Sequence, residues 1–478
     1  MSIIQKLKST PAGWETSPLE RKSYYLYFAG QNAVYFLLAN YLTTYLVFLG
    51  IDPLKSGAVM IAVKIWDAIN DAVFGALFDK IKFRNGQKCL PWVKISCALI
   101  PIASILLFAI PKAADENIKL LWFAVAYIFW DTAYTICDVP IYTMVTTITS
   151  NLDERNVLMS RRQILSGIGM AIITGAFTIL PSEYIGLSYT WTVVIVSVLA
   201  TAFMIPISVL GKERNYIASA NEESFTMREM FSYLVKNKFL LLFYGGYIVA
   251  NALLTNASLS LVASYYLFGN SMFNLLISVL SAAPQLIASV FVPALVRRFD
   301  KFKIYFWSNV AMIVTGFIIF FAGYQNVIIF VVLTVIRSVP AAIVGVMNFM
   351  FTPDCAEYGK FKTGTDAKGI TFAIQTFSVK IAAAVASALS LFALSCFGWK
   401  EVTAASFEEL AAIGVTQTPE ALKGLWITYA FIPVVGYLLS MGLYVFYKLN
   451  DKDVQIMARC NSGEITREEA ESMLSRKY

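Results

Sequence analysis

The chain contains no histidine, and that absence removes whole classes of chemistry. An imidazole proton relay, a catalytic dyad built on histidine and every histidine-ligated zinc site are excluded. Six cysteines (Cys89, Cys97, Cys137, Cys355, Cys396 and Cys460) are scattered without a CxxC pair or metal-ligand spacing. Neither a disulfide framework nor a thiolate metal centre is expected from them. Charge is scarce too: 14% of the 478 residues are Asp, Glu, Lys or Arg, against about 25% in a soluble protein. Long loops are missing as well. The longest internal connection runs over 28 residues from Gly211 to Lys238, and none carries a nucleotide-binding loop or a metal cluster. A membrane-embedded transferase is therefore the weaker alternative, and the chain is not expected to be an enzyme.

What is present is apolar sequence: 58% of the residues are hydrophobic. Runs of about 20 apolar residues, the length that crosses a bilayer, recur from end to end. They are continuous rather than alternating with period two, which argues against a β-barrel. The expectation is an all-α polytopic membrane protein with twelve spans, at 24–50, 57–79, 93–111, 120–148, 163–181, 187–210, 239–267, 273–296, 304–323, 326–352, 367–397 and 424–448. The first 23 residues are polar, so the first span is expected to target the chain and stay in it rather than be cleaved.

Orientation follows from the basic residues. With the N-terminus inside, 29 of the 38 Lys and Arg fall in cytoplasmic segments, against five on the opposite face: Lys55, Lys112, Lys119, Lys400 and Lys423. This asymmetry puts both termini in the cytoplasm of a multi-pass cell-membrane protein. It also accounts for the net charge of +7 without a nucleic-acid partner. The domains expected are an N-terminal six-helix half (1–210), a cytoplasmic linker (211–238), a C-terminal six-helix half (239–450) and a solvated polar tail (451–478) with a short helix opened by Thr466 and Glu469. An echo links the halves: the second span leaves through GALFDKIKFR (75–84) and the eighth through PALVRRFDKFK (293–303).

A few ionisable residues interrupt the spans. In GAVMIAVKIWDAINDAVFGALF (57–78), Lys64, Asp67 and Asp71 are spaced by three and four residues and share one helical face. Each costs roughly 2.5–3.5 kcal/mol near a bilayer centre, a cost carried mostly where a polar pathway or ligand needs it. Two carboxylates, the amide of Asn70 and the hydroxyl of Thr135 make a hard-oxygen set suited to Na⁺, Li⁺ or H⁺ rather than a transition metal. In YTICDVPIYTM (134–144), Asp138 lies between Tyr134 and Tyr142, each four residues away. A carboxylate flanked by rings accepts sugar hydroxyls while a ring stacks on the apolar face of the pyranose. Asp131 is expected to reach water, and Arg337 to pair with a helix end.

These segments resemble a known family. KIWDAINDAVFGALFDKIKFRNGQKCLPW (64–92) is similar to the second-helix and loop signature of the glycoside–pentoside–hexuronide:cation symporters, the family of melibiose permease in the major facilitator superfamily. Likeness continues through YTICDVPIYTMVTTITSNLDERNVLMSRRQI (134–164) and DCAEYGKFKTGTDAKGITFAIQTFSVK (354–380), so both halves are covered in matching order. The resemblance implies a twelve-helix fold of two halves. It implies symport of a sugar or glycoside with Na⁺ or H⁺ by alternating access, with a non-sugar solute or lipid as the alternative cargo. No cofactor beyond the coupling cation is implied, and one copy is expected to work alone, in contact with membrane lipid and its small-molecule cargo.

By the same resemblance Asp67, Asn70, Asp71 and Thr135 take the cation positions, with Na⁺ at Asp67 and Asp71 if the ion is a metal. Asn32, Tyr134, Asp138, Tyr142 and Arg162 fall at or beside the sugar, and Lys64 and Lys380 belong to the charge network. Asp79, Lys80, Arg84 and Lys88 follow Gly75 in the order of the superfamily's cytoplasmic gate motif. Three departures bear on cargo: Asn32 replaces a carboxylate, Ala72 a proline and Tyr142 a tryptophan. The first removes a negative charge, which suits an anionic sugar such as a hexuronide.

Overall fold

The computed structural model describes residues 13–81, 83, 84, 86–214, 227–364 and 367–478. Helices follow in the order α1 (Pro18–Phe36), a π-helical turn (Leu37–Tyr41), α2 (Leu42–Val47), α3 (Pro53–Lys80), α4 (Leu90–Leu107), α5 (Glu116–Ile148), α6 (Leu152–Ile179) and α7 (Tyr189–Leu210). After them come α8 (Met227–Lys236), α9 (Lys238–Ala252), α10 (Ser260–Phe268), α11 (Phe273–Arg298), α12 (Lys301–Ala322), α13 (Val327–Met347), α14 (Phe351–Thr363) and α15 (Lys368–Cys396). The chain ends with α16 (Phe407–Ile413), α17 (Pro419–Trp426), a second π-helical turn (Ile427–Phe431), α18 (Ile432–Tyr444), α19 (Asp451–Asn461) and α20 (Arg467–Met473). Nine helices among the described residues are long and apolar enough to cross a membrane, and α9 is a shorter apolar helix. Two compact units result, 1–221 with 399–417 and 222–398 with 418–478.

In the first unit α1 is the spine. It lies against α6 and α7, while α4 packs on α5 and α7, and α3 on α5. Two glycines permit the close approach. A Cβ on Gly30 would sit 2.2 Å from the carbonyl oxygen of Ala200 on α7, and one on Gly169 would sit 2.1 Å from that of Ala29. Without a hydrophobic drive between helices in lipid, such small-residue contacts let backbones meet and gain dispersion energy. The base of α1 is locked by buried acids. Glu154 accepts from the backbone N–H groups of Glu15 and Thr16 and from the hydroxyls of Thr16 and Thr149, with Arg21 at 3.4 Å. Glu20 accepts both Nη groups of Arg214, at 2.8 and 2.7 Å, and the N–H of Lys212. Residues 399–417 complete this unit through backbone bonds from Gly50 to Val402 and from Ala404 to Phe48.

The second unit is built round an aromatic core of Phe243, Tyr244, Tyr305, Phe351, Tyr444 and Tyr447. The Tyr305 hydroxyl donates to Asn348 and lies 3.1 Å from that of Tyr444. One expected element is interrupted here. The span foreseen over 239–267 breaks between α9 and α10. There Asn251 donates to the Tyr247 carbonyl, Ser258 to that of Thr255, and Thr255 to the Thr428 carbonyl. Side chains that bond the backbone compete with the helix ladder. The tail is the second correction. Instead of lying in solvent, α19 and α20 bury Val454, Met457 and Ala470 in the core, and Asp453 accepts from Ser475 N–H and the Tyr478 hydroxyl. Apolar residues at 454 and 457, three apart, supply the docking face. Thr466 and Glu469 form a capping box. Of the linker foreseen over 211–238, residues 215–226 lie outside the described residues, and α8 occupies 227–236.

The glycine contacts make a direct prediction. Gly30→Ala and Gly169→Ala should each lower the apparent Tm in detergent, an overpacking cost of about 1–3 kcal/mol. Gly167→Ala, with nothing within 4 Å of its Cβ, should leave it within about 0.5 kcal/mol of the parent. Thermal unfolding followed by tryptophan fluorescence distinguishes them, and equal melting curves for all three variants would contradict the close-packing account.

Candidate functional site

α3 begins at Asp52, whose carboxylate accepts the Leu54 N–H, with Pro53 in the first turn. From this fixed start Lys64, Asp67 and Asn70 fall on one face at spacings of three. Asp67 and Asn70 are buried. The Asn70 amide donates to the Asp131 carboxylate at 3.1 Å and to the Thr135 hydroxyl at 2.9 Å, while that hydroxyl donates to the Asp131 carbonyl. Lys64 Nζ sits 5.2 Å from the centre of the Tyr127 ring. Tyr127 also lies in electrostatic reach of Asp131 and Asp67, and its buried hydroxyl has no hydrogen-bond partner among the described residues. Asp67, Asn70, Asp131, Thr135 and Tyr127 thus gather hard oxygens within a few turns of two adjoining helices. The described residues include no group of three or more His, Cys, Asp or Glu that could hold a metal ion. The side chain of Asp71 lies outside the described residues.

This arrangement corrects the expectation for Asp131, which is 5% exposed and belongs to the cluster instead of reaching water. Its position four residues before Thr135 was the available signal, since i and i+4 share a helical face.

Two turns along α5, about 10 Å by helix rise, Asp138 accepts from the Gln31 amide of α1. Gln31 is 1% exposed, and its Oε1 has no partner among the described residues. Asn32, its neighbour, faces elsewhere: its amide donates to the Phe28 carbonyl at 2.9 Å and to the Ser166 hydroxyl of α6 at 3.0 Å. The α1 amide that engages Asp138 is therefore Gln31. Pro140 deprives α5 of one backbone donor. Beside it, the Tyr27 hydroxyl donates to the Cys137 carbonyl and the Tyr24 hydroxyl to that of Ile141, both at 3.2 Å. α1 thus clamps α5 where the proline sits.

Rings flank Asp138 on both sides. Tyr134 stacks on Trp130, with centroids 5.1 Å apart and planes 7° from parallel, and meets Tyr35 at 5.4 Å. Tyr142 contacts Phe28 edge-on at 5.3 Å. The Arg162 guanidinium lies between these two, 4.4 Å from the Tyr142 centroid and 4.9 Å from that of Phe28. Cation–π contact of this kind holds the charge in place, yet the buried Arg162 Nε has no hydrogen-bond partner among the described residues.

The remaining candidates are more dispersed. Asp79 and Lys80 have side chains outside the described residues. Arg84 is exposed. Lys88 places Nζ over the Phe78 ring, and its backbone N–H, with those of Cys89 and Leu90, donates to Glu213. Glu213, which sequence reasoning passed over, holds the start of α4. Lys380 is half-buried on α15 in the second unit. Five residues earlier on that helix, Gln375 accepts from Tyr244 and Thr352. Arg337 meets no helix end: its Nε and Nη2 are buried without a partner among the described residues, and its guanidinium lies 3.5 Å from where a Gly316 Cβ would be.

The chain is similar to known proteins over most of its length. Residues 23–451 match the model of a family described as MFS/sugar transport protein. An isoprimeverose transporter of Lactiplantibacillus pentosus is 24% identical, over 96% of this chain and 96% of that protein. A glucuronide carrier protein homolog of Escherichia coli (strain K12) is 23% identical, over 84% of this chain and 86% of that protein. Among solved structures, the nucleoside transporter NupG superimposes with a TM-score of 0.63 at 13% identity, covering 90% of this chain and 100% of that one, a likeness of fold. With the polar face of α3 and α5 in place, this integral membrane chain belongs to the MFS/sugar transport protein family, among the glycoside–pentoside–hexuronide-like transporters of the major facilitator superfamily.

Proposed function

We propose that the protein is a secondary transporter that carries a sugar or glycoside together with Na⁺ or H⁺, through twelve spans with both termini in the cytoplasm of a cell-membrane protein. Three buried polar atoms carry this reading, each without a partner among the described residues: the Tyr127 hydroxyl on α5, Gln31 Oε1 on α1 beside Asp138, and Arg162 Nε on α6 beside Tyr142. A buried polar group normally has a partner, at a cost of about 1–3 kcal/mol if it does not. Their spacing suits two ligands. The cation takes Asp67, Asn70 and Asp71 from α3 with Asp131 and Thr135 from α5. The sugar takes Asp138 and Gln31, with a ring of Tyr134 or Tyr142 against the pyranose. Lys64 and Lys380 balance the charge, and Asp79, Lys80, Arg84 and Lys88 form the cytoplasmic gate. Binding of either ligand then favours that of the other by the same factor.

The isoprimeverose and glucuronide relatives support a glycosidic cargo. Arg162 favours an anionic one, because a carboxylate or sulfonate would satisfy its Nε and offset its charge. A relative in Escherichia coli (strain K12), 25% identical and described as a sulfoquinovose importer, fits the same anionic class.

Two experiments test the site. Asp138→Ala should weaken a glycoside probe by about 1.5–3 kcal/mol, the range for hydrogen bonds to charged groups, and leave cation binding near the parent. Asp131→Ala should do the reverse. Calorimetry with isoprimeverose or p-nitrophenyl glucuronide and with NaCl, titrated separately, reads both; equal losses in both variants would merge the two sites into one. Arg162→Gln should reduce uptake of the glucuronide roughly tenfold or more, equivalent to about 1.4 kcal/mol, with a smaller effect on isoprimeverose. Equal effects on the two probes would remove the anionic reading and leave the transporter assignment standing.

A further inference from the structure

A second ligand surface lies wholly within the second unit. The α11–α12 turn, the end of α18 and the docked tail enclose a cavity of about 1280 Å³. Seven Lys and Arg and four Asp line it. The acids are all engaged from within. Asp354 and Asp451 take Lys301. Asp300 accepts from the N–H groups of Phe302, Lys303 and Asp451. Asp453 accepts from Asn450, Ser475 and Tyr478. The other six cations, Arg297, Arg298, Lys303, Lys448, Lys452 and Arg476, are exposed and make no ion pair among the described residues. A basic cavity whose acids are already engaged attracts an anion.

The neighbouring surface says which anion. A second, apolar groove of about 540 Å³ shares Phe299, Lys303 and Trp307 with the cavity and continues past Ile304 and Ala311 to Val339, Pro340 and Ile343. Phe299 and Trp307 are 59% and 67% exposed at the join, as aromatic residues are where a bilayer meets water. From Lys303 to Ala311 the groove descends eight residues of α12, about 12 Å, most of the depth of one leaflet of a hydrocarbon core about 30 Å thick. Charge at the mouth, an aromatic collar and an apolar trough most of a leaflet deep match one kind of molecule.

We propose that this surface binds an anionic glycerophospholipid, with its phosphodiester among Arg297, Arg298, Lys303 and Lys452 and one acyl chain along the α12–α13 groove. Arg476 and Lys452 come from the tail, so the lipid ties the tail to the α11–α12 turn. A soluble phosphorylated ligand would use the same cations and leave the groove empty.

The test uses the full-length protein, delipidated in detergent, with bound lipid counted by native mass spectrometry as phosphatidylglycerol or phosphatidylcholine is titrated. The parent should retain phosphatidylglycerol in preference to phosphatidylcholine, and excess inorganic phosphate should not displace it. Arg297→Gln/Arg298→Gln/Lys303→Gln should lose about a hundredfold in phosphatidylglycerol affinity, since each basic side chain at an anionic surface contributes roughly fivefold. Lys400→Gln/Lys423→Gln, basic residues outside the cavity, should match the parent. Ala311→Phe, which fills the groove and leaves the cations intact, should weaken phosphatidylglycerol as well. Undiminished phosphatidylglycerol binding in the triple variant, or its displacement by inorganic phosphate, would overturn the proposal.

Discussion

An ionised side chain inside an apolar helical bundle persists only where its neighbours supply hydrogen bonds in place of water, and this constraint organises the first unit. Its acids meet the demand in two ways. Glu154 and Glu20 are wrapped by backbone N–H groups, threonine hydroxyls and arginines at the base of α1, so they fasten the scaffold. Asp131 and Asp138 lie along α5 and take the amides of Asn70 and Gln31. An amide can turn and exchange partners at little cost, whereas a buried guanidinium cannot leave its carboxylate without exposing a charge. The acids at the base of α1 are thus held by several fixed donors, and those along α5 by single side-chain amides.

The spine helix converts this chemistry into geometry. Gly30 and Gly169 let α1 approach α7 and α6 until backbone meets Cα, which fixes where Gln31 can point. Tyr24 and Tyr27 carry the same helix against α5 on either side of Pro140. Asp138 is therefore placed by α1 as much as by its own helix. A change in the packing of α1 would reach the Asp138 end and the Asn70–Asp131 end together, because both lie on the one α5 rod.

Much of this was legible in the sequence, and the reasons are physical. Hydropathy located most helices because a bilayer demands a minimum apolar length. The spacing of Lys64, Asp67 and Asp71 pointed to one polar face of α3, on which the described side chains of Lys64 and Asp67 lie while that of Asp71 is outside the described residues. What stayed hidden depended on partners far along the chain. Gln31 and Asn32 are adjacent and chemically alike, and only the rotation of α1 against α5 decides that Gln31 meets Asp138. Asp131 reads as a helix-end acid until Asn70, 61 residues away, is placed beside it. The break before α10 depends on side-chain bonds that hydropathy does not register. The tail looked polar by composition, yet Val454, Met457 and Ala470, with the hydrogen bonds of Asp453, seat it on the core.

The central claim is that one face of α3 and α5 holds a cation and a glycoside whose binding is coupled. The most direct measurement is the Kd of isoprimeverose or p-nitrophenyl glucuronide on the purified protein at zero and saturating Na⁺, repeated across pH, with the reciprocal Na⁺ titration at zero and saturating sugar. The account predicts that Na⁺ or protons tighten the sugar, and that the sugar tightens that same cation by an equal factor. Sugar binding that is indifferent to both cations at every pH would contradict it.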